Sequence, residues 1–260
     1  MPRSSPAFTL LHQLAVRDFK QRYVGSVLGW VWSLVHPLVL LAVYTFLFRH
    51  AFGARLPPDE ATDSYPLFLL AGLLPWLLFS ETVTRAATCL TDHSTLIKTS
   101  VFPSETLPMS VLASTGFGHL LFVAVLVLAA SMWGHPPGGM LALLPPFAFL
   151  LGLLSLGVAL VVAGLQAYLR DTAQILSVAL TAWFWATPIF LPEAFYRGPF
   201  ETVLDWNPIR YAVLGYRAAI LGGQLPGRAD VAALSAFALA ALAAGWVFFR
   251  RAKRGFADVM

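Results

Sequence analysis

Six stretches of the chain are long enough and apolar enough to cross a lipid bilayer as helices. A crossing helix needs about 20 predominantly apolar residues, and short polar segments separate the stretches. The six stretches are residues 27–52, 65–88, 107–133, 140–169, 173–191 and 231–249. The pattern predicts an all-α integral membrane protein with six transmembrane helices, in which residues 1–260 form a single transmembrane domain.

The segment between the fifth and sixth stretches predicts a helical hairpin on the outer face. Residues 192–228 contain two apolar runs, 195–204 and 211–221, and each is too short to cross the bilayer as a helix. We expect a re-entrant or interfacial hairpin. The alternative is an extra pair of spans, but it would place Arg210 and Arg217 in hydrocarbon at a cost of a few kcal/mol each, so we reject it.

The N-terminal segment predicts a helix that lies along the membrane surface. Apolar side chains recur at helical spacing at Phe8, Leu11, Ala15 and Phe19. Charged side chains such as Arg17 and Lys20 fall elsewhere on the helical wheel. We therefore expect an amphipathic interface helix over residues 7–23. A solvated helix with no special role is the alternative.

The basic residues predict the orientation, because cytoplasmic loops of membrane proteins carry an excess of lysine and arginine. Six spans place both termini on one side. If that side is the cytoplasm, eleven basic residues lie inside and six lie outside. We expect cytoplasmic termini, and we attribute the net charge of +4 to topology rather than to nucleic-acid binding.

Ionisable groups that could couple transport to an ion gradient are nearly absent from the spans. Such groups are costly to bury and therefore signal function. Glu81 lies well within a span, and Arg85 stands one helical turn further on, which predicts a mutual ion pair, with a transport role as the alternative. His36 and His119 lack a second ligand at metal-binding spacing, so we expect buried, hydrogen-bonded histidines and no metal site.

The sequence shows no motif of an enzyme and no nucleotide-binding lysine. The Gly-x-Ser-x-Gly and His-Glu-x-x-His motifs are missing. A phosphate-binding loop needs a glycine directly before its lysine. The three lysines follow Phe19, Ile97 and Ala252. We therefore expect no cofactor in this chain, and any ATP that drives it must bind to another subunit.

Several motifs resemble those of the bacterial polysaccharide-export ABC transporter permeases. The N-terminal motifs are RDFKQRY at 17–23, SVLGWVW at 26–32 and HPL at 36–38. Further motifs are AGLLPW at 71–76, LRD at 169–171, TPI at 187–189 and WNP at 206–208. The resemblance covers essentially the whole chain and is greatest to the O-antigen and teichoic-acid permeases.

The resemblance implies a permease that moves lipid-linked polysaccharide across the inner membrane. O-antigen is the leading candidate for this polysaccharide, which would place the permease in lipopolysaccharide biosynthesis. It implies a homodimer of this chain with two ATP-binding subunits, which hold ATP and Mg. A capsule or teichoic-acid permease and a drug or lipid exporter are the alternatives within the superfamily. A membrane enzyme or a scaffold of envelope synthesis is the alternative from another class.

The resemblance also implies which residues couple the chain to its ATPase. The loop 91–105 is expected to dock onto the ATPase. An ordinary solvated connection is the alternative for this loop. The candidate coupling residues are Arg17, Lys20, Arg22, Asp92, His93 and Lys98.

Aromatic residues are candidates for the lining of a polysaccharide channel, because sugars stack their apolar faces on aromatic rings. Anchoring at the membrane interfaces is the alternative for each ring. The candidate channel residues are Trp30, Trp76, Phe79, Trp183, Phe184 and Trp185. Asn207, Pro208 and Tyr211 begin the second helix of the hairpin, which by the resemblance could gate the periplasmic exit.

Overall fold

The computed structural model describes residues 6–21, 31–57, 60–99, 103–132, 136, 138–196, 198–222 and 224–256. Helices make up most of these ranges, and no β-strand occurs within them. The α-helices are α1 (Pro6–Gln21), α2 (Trp32–Thr45), α3 (Tyr65–Asp92), α4 (Ser94–Thr99), α5 (Thr106–Met132), α6 (Leu144–Tyr168), α7 (Thr172–Trp185), α8 (Pro199–Asp205), α9 (Pro208–Leu221) and α10 (Arg228–Ala252). The predicted all-α class is confirmed.

Four helices in the described ranges are long and apolar enough to cross a membrane. They are Tyr65–Asp92, Thr106–Met132, Gly139–Tyr168 and Arg228–Gly255. These helices match the second, third, fourth and sixth predicted stretches. The first and fifth stretches contain shorter apolar helices, Val35–Ala51 and Thr172–Trp185.

The two shorter helices owe their length to local sequence. Helix α7 ends at Trp185, six residues before the predicted end of its stretch, because Pro188 has no backbone N–H and disfavours helical geometry at Thr187. Helix α2 contains Pro37 and continues into a π-helix, Phe46–Ala51. The predicted first stretch begins at residue 27, and its first four residues lie outside the described ranges.

Helix α3 forms the centre of the fold. It packs against α5, α6 and α9, and its residues from Leu67 to Trp76 are all buried. A helix that is apolar around its whole circumference is expected to be enclosed in this way. Helix α10 packs on the outside of this group, against α6 and α9.

Helices α6 and α10 cross with their backbones in contact. A Cβ placed at Gly157 would overlap the backbone of Ala241 and Leu242, and one placed at Gly245 would overlap the carbonyl of Gly157. Small residues allow membrane helices to approach closely. The crossing makes α6 and α10 one tightly packed pair.

The N-terminal helix α1 packs against α5 and is joined to α3. The Phe19 ring packs edge-on against Phe117 of α5 at a centroid distance of 5.0 Å. One guanidinium nitrogen of Arg85 donates to both carboxylate oxygens of Asp18, at 2.7 and 2.8 Å. A helix is present from Pro6 to Gln21, and its location at the membrane interface stays a prediction. Residues 22–23 of the predicted range lie outside the described part of the chain.

Two helices, α8 and α9, occupy the predicted hairpin segment. Helix α9 is largely buried and packs on α3, α6 and α10. The Phe147 ring lies directly on Gly215, where any Cβ would overlap it. Helix α8 presents Phe200 and Val203 on the surface. The two helices of this segment therefore differ, one enclosed by the bundle and one exposed.

Candidate substrate pathway and coupling surface

An aromatic cluster joins the end of α7 to α2 and the following π-helix. Phe190 lies at its centre and is buried. Its ring stacks on Phe48 at 4.7 Å and on Trp185 at 5.0 Å, and it meets Tyr44 edge-on at 4.8 Å. Phe190 was not among the residues predicted from the sequence, since a phenylalanine after a helix end carries no distinguishing signal.

The predicted channel residues divide into buried and exposed rings. Phe79 has no exposed surface and Trp76 is 6% exposed, whereas Trp185 is 52% exposed. Trp183 and Phe184 are partly buried. Trp30 lies outside the described residues. The Trp185 ring therefore lies at the surface, while Phe79 packs behind Trp183 at 5.1 Å.

The Asn207 side chain connects the aromatic end of α7 to the start of α9. Its oxygen accepts from the Trp183 indole N–H at 2.9 Å and from the Ile209 backbone N–H at 3.1 Å. Its amide nitrogen donates to the Thr187 hydroxyl at 3.0 Å and to the Ala186 carbonyl at 3.3 Å. Asn207 is therefore the N-cap of α9 and holds that helix to α7.

The other predicted gate residues lie in the same buried turn. Pro208 occupies the first position of α9 and is buried, which suits a residue without a backbone N–H. The Tyr211 hydroxyl donates to the Asp205 carbonyl at 2.8 Å. These contacts bind the start of α9 to the end of α8.

Arg210 of α9 binds two acidic residues that come earlier in segment 192–228. Its guanidinium donates to the two carboxylate oxygens of Glu193 at 2.7 and 3.0 Å, and it also donates to Asp205. The hydrogen bond to Glu193 is the largest influence on Arg210 and raises its pKa above the ordinary value. Arg210 thus stays charged and paired.

Arg217 lies buried against α3. It donates to the Ile189 carbonyl at 2.8 Å, and its guanidinium carbon lies 3.6 Å from the centroid of the Phe68 ring. A Cβ added to Gly72 would come within 2.9 Å of the guanidinium. The prediction placed Arg217 in the hairpin, and the structure adds the glycine and the ring that accommodate it.

A buried hydrogen bond joins α9 to α5. The Tyr216 hydroxyl and the Nε2 atom of His119 are 2.8 Å apart, and both side chains are buried. The predicted buried, hydrogen-bonded state of His119 is confirmed. His36 is exposed, so the same prediction for His36 is wrong, because α2 leaves that face uncovered in the protomer.

A cavity of about 470 Å³ opens between α2, α3 and α5. His36, Glu81, Arg85 and His119 reach its lining, together with mostly apolar side chains. Arg85 has its ion-pair partner on another helix, Asp18 of α1, whereas sequence spacing pointed to Glu81. Within the described ranges no three acidic, histidine or cysteine side chains are grouped as a metal site.

The described candidate coupling residues lie near the C-terminal ends of α1 and α3 and in α4. Arg17, Lys20, Asp92 and Lys98 are exposed. Asp92 accepts from the Thr88 hydroxyl at 2.8 Å. The His93 ring contacts the Cys89 carbonyl at 2.9 Å and follows the last turn of α3. Arg22 and residues 100–102 lie outside the described part of the chain.

A long-range ion pair is formed at the C-terminal end of the candidate coupling segment 91–105. The Lys253 ammonium donates to both carboxylate oxygens of Glu105, at 2.7 and 3.0 Å. Burial alone would raise the pKa of Glu105, but the Lys253 hydrogen bond, a backbone hydrogen bond and the charges of Lys253 and Arg250 outweigh burial and lower it. No spacing in the sequence pairs these residues, which are 148 positions apart.

Comparison with known families identifies the architecture. Residues 9–221 match the family described as ABC-2 type transporter, which is most of the chain. The chain belongs to this family. As an ABC-2 family protein it is an integral membrane component of a transporter, in agreement with its long apolar helices.

Relatives with assigned names extend the similarity to nearly the full length. The chain is 28% identical to the O-antigen export system permease protein RfbA of Myxococcus xanthus over 251 residues, which cover 96% of this chain and 94% of that protein. It is 26% identical to the protein of the same name from Klebsiella pneumoniae, over 97% of this chain and 95% of that protein. It is also 26% identical to the polysialic acid transport protein KpsM of Escherichia coli, over 91% of each chain.

Proposed function

We propose that this ABC-2 protein is the permease subunit of an ATP-driven exporter that moves lipid-linked O-antigen polysaccharide across the bacterial inner membrane. The observation that carries this proposal is the similarity to permeases named for O-antigen export, which extends over at least 94% of the first two relatives. Similarity of that extent includes every long helix, α7 and the hairpin segment.

The proposed topology has six spans, a re-entrant hairpin and both termini in the cytoplasm. The two shorter apolar helices, Val35–Ala51 and Thr172–Trp185, would serve as the first and fifth spans. Helix α7 has 14 residues, or about 21 Å at 1.5 Å per residue, which is shorter than the hydrocarbon core of about 30 Å. Local thinning of the bilayer or the adjoining segment 186–191 would accommodate this difference.

The ion pairs of the hairpin segment support its placement toward the periplasm. Arg210 binds Glu193 and Asp205, and this cluster lies next to the exposed helix α8. Charged groups of this kind are costly in hydrocarbon and favourable near water. The gate proposal for Asn207, Pro208 and Tyr211 rests on this location beside the end of α7.

The energy for transport would come from a separate subunit. We propose a homodimer of this chain with two ATP-binding subunits, which hold ATP and Mg. The segment 91–105 would dock onto those subunits, supported by the exposed side chains of Asp92 and Lys98. Ile97 of α4 packs against a buried apolar cluster that includes Cys89 of α3, Leu107 of α5 and Phe249 of α10, which we name the cytoplasmic core cluster. A movement of α4 would therefore reach the helices behind it.

The aromatic end of α7 is the proposed surface for the sliding glycan. Trp185 offers an exposed ring, and Trp183 and Phe184 lie beside it, with Trp76 and Phe79 behind them. Stacking on rings holds a sugar by weak, repeated contacts that allow movement. The interface role of aromatic residues stays the alternative.

A complementation experiment tests the proposal. A host whose own O-antigen permease gene is deleted receives this chain together with its neighbouring ATPase gene, and surface O-antigen is measured with antibody. We expect restored surface glycan with this pair and none with the ATPase alone. Lipid-linked glycan that accumulates in the cytoplasm of cells expressing both proteins would contradict the proposal.

Capsule export is the second candidate, favoured by the similarity to the polysialic acid transport protein over 91% of each chain. The complementation experiment is repeated in a host that lacks its capsule permease. Restored capsule without restored O-antigen would select this candidate. Restoration of neither polymer, with export of a fluorescent drug or lipid, would select a small-molecule exporter.

A further inference from the structure

The ion pair between Glu105 and Lys253 joins two parts of the chain with different roles. Glu105 is the last residue of the proposed docking segment 91–105, directly before α5 begins at Thr106. Lys253 directly follows α10, which ends at Ala252. Both carboxylate oxygens accept from one ammonium within 3.0 Å.

Both ends of this ion pair are held by the backbone around them. On one side, the Thr106 backbone N–H and hydroxyl both donate to the Pro103 carbonyl, at 2.9 and 2.7 Å, and form the turn that contains Glu105. On the other side, the Tyr168 hydroxyl donates to the Ala252 carbonyl at 2.6 Å. These hydrogen bonds fix the backbone next to Glu105 and next to Lys253, on the two sides of the ion pair.

Helix α10, which directly precedes Lys253, is packed tightly on α6. The backbone contact between Gly157 and Gly245 leaves no space between the two helices, and close-packed interiors transmit displacement. Helix α6 in turn carries Phe147, whose ring lies on Gly215 of α9. The pair α6–α10 thus connects the cytoplasmic end of α10 with the hairpin.

We propose that the Glu105–Lys253 ion pair transmits movement of segment 91–105 to α10 and so couples the ATPase cycle to rearrangement of the permease. This inference rests on the proposed docking of segment 91–105. Glu105 and Lys253 are positioning residues that act on the transport path through α10 and α6. Neither residue contacts the exposed aromatic surface of α7.

The ion pair is partly exposed, so its role in coupling can be tested without loss of the fold. The Lys253 side chain is 37% exposed and that of Glu105 is 18% exposed. Ion pairs of this exposure contribute little to folding stability. Burial of Phe249 and Phe256 in the cytoplasmic core cluster holds the end of α10 without the ion pair. Loss of the pair should therefore leave the fold intact.

The test compares Glu105→Gln, Lys253→Gln and the charge swap Glu105→Lys with Lys253→Glu in the permease–ATPase complex. Arg251→Gln is the matched control, because Arg251 is an exposed cation in the last turn of α10. A nitroxide label at Ala244→Cys, an exposed position on α10, reports the distance between the two copies in the presence of ATP and vanadate. Cys89 is replaced by alanine in all variants.

We expect the nucleotide-dependent distance change, and the ATP-dependent surface glycan, to fall about twofold to fivefold in both single variants. The charge swap should recover at least half of each loss. The Arg251→Gln control should match the parent protein, and all variants should be present at equal amounts in the membrane.

The proposal would be overturned if both single variants showed the same nucleotide-dependent distance change as the parent protein. It would also be overturned if the charge swap did not recover the losses of the single variants. The label experiment needs ATP and vanadate but no glycan. Parent protein that shows the distance change without exporting glycan would therefore contradict the proposed substrate, while the comparison of variants would still decide the role of the ion pair.

Discussion

The indole N–H of Trp183 donates to the side-chain oxygen of Asn207 over 2.9 Å. This bond joins a candidate channel residue near the end of α7 to a candidate gate residue at the start of α9. The Asn207 amide also donates to Thr187 and Ala186. The four hydrogen bonds of this side chain therefore connect the end of α7 to the start of α9. A gate that opens at this point moves the two helix ends together or breaks this network.

Replacement of Asn207 by alanine removes the N-cap and the connection to α7. We expect the free energy of unfolding to fall by about 1 to 3 kcal/mol, because the cap and a buried hydrogen bond are lost. Thermal unfolding of the purified permease in detergent measures this. Asn207→Ser, which keeps an uncharged oxygen that can cap the helix, is the control and should lose less. Equal losses in the two variants would contradict a capping role.

Replacement of Trp185 by alanine tests the exposed aromatic surface. We expect a lower rate of glycan export with unchanged stability, because the ring is 52% exposed and stacking on sugars depends on its face. Phe149→Ala on α6 is the control, since Phe149 is an exposed ring at another site. Surface glycan measured over time gives the rate. Equal export in both variants and the parent protein would remove Trp185 from the pathway.

Replacement of Gly245 by alanine tests the crossing of α6 and α10. The added Cβ overlaps the carbonyl of Gly157, so the helices must separate, and we expect a destabilisation of about 1 to 3 kcal/mol. Gly116→Ala is the control, because nothing lies within 4 Å of a Cβ at that position. In that variant the helix propensity of alanine should raise stability slightly. Similar melting temperatures for both variants would argue against the backbone contact.

Replacement of Tyr216 by phenylalanine tests the hydrogen bond to His119. Both partners are buried, and hydrogen bonds between membrane helices contribute about 0.6 kcal/mol on average. A double-mutant cycle with His119→Leu should give a coupling energy of about that size. The cycle is measured by unfolding in mixed detergent. Strictly additive effects would show that the bond contributes nothing.

The pKa of Glu105 gives a pH dependence with a defined sign. The carboxyl has a lowered pKa in the folded protein, so its stabilising contribution is fully present above the unfolded pKa of about 4.3 and is lost as pH falls through the folded value. The melting temperature of the parent protein should therefore exceed that of Glu105→Gln at neutral pH. The difference should vanish in acid, and a difference that grows below pH of about 4 would contradict this sign.

The sequence was sufficient to predict the all-α class, the membrane class and the positions of the long helices. Long apolar segments predicted the four long helices, and the short runs within 192–228 predicted a helical segment there. These features depend on residues close together in the chain, since a span needs only about 20 consecutive apolar residues. Short motifs such as AGLLPW at 71–76 also consist of residues close together in the chain, and they indicated the family.

The contacts between distant residues became visible only in the folded chain. Arg85 was paired with Glu81 on helical spacing, but its partner Asp18 comes from α1, 67 positions away. Glu105 and Lys253, His119 and Tyr216, and Gly157 and Gly245 likewise meet through the packing of whole helices. Spacing along one helix cannot specify such pairs, because they depend on how separate helices cross and turn. Those crossings connect the proposed coupling segment to the hairpin.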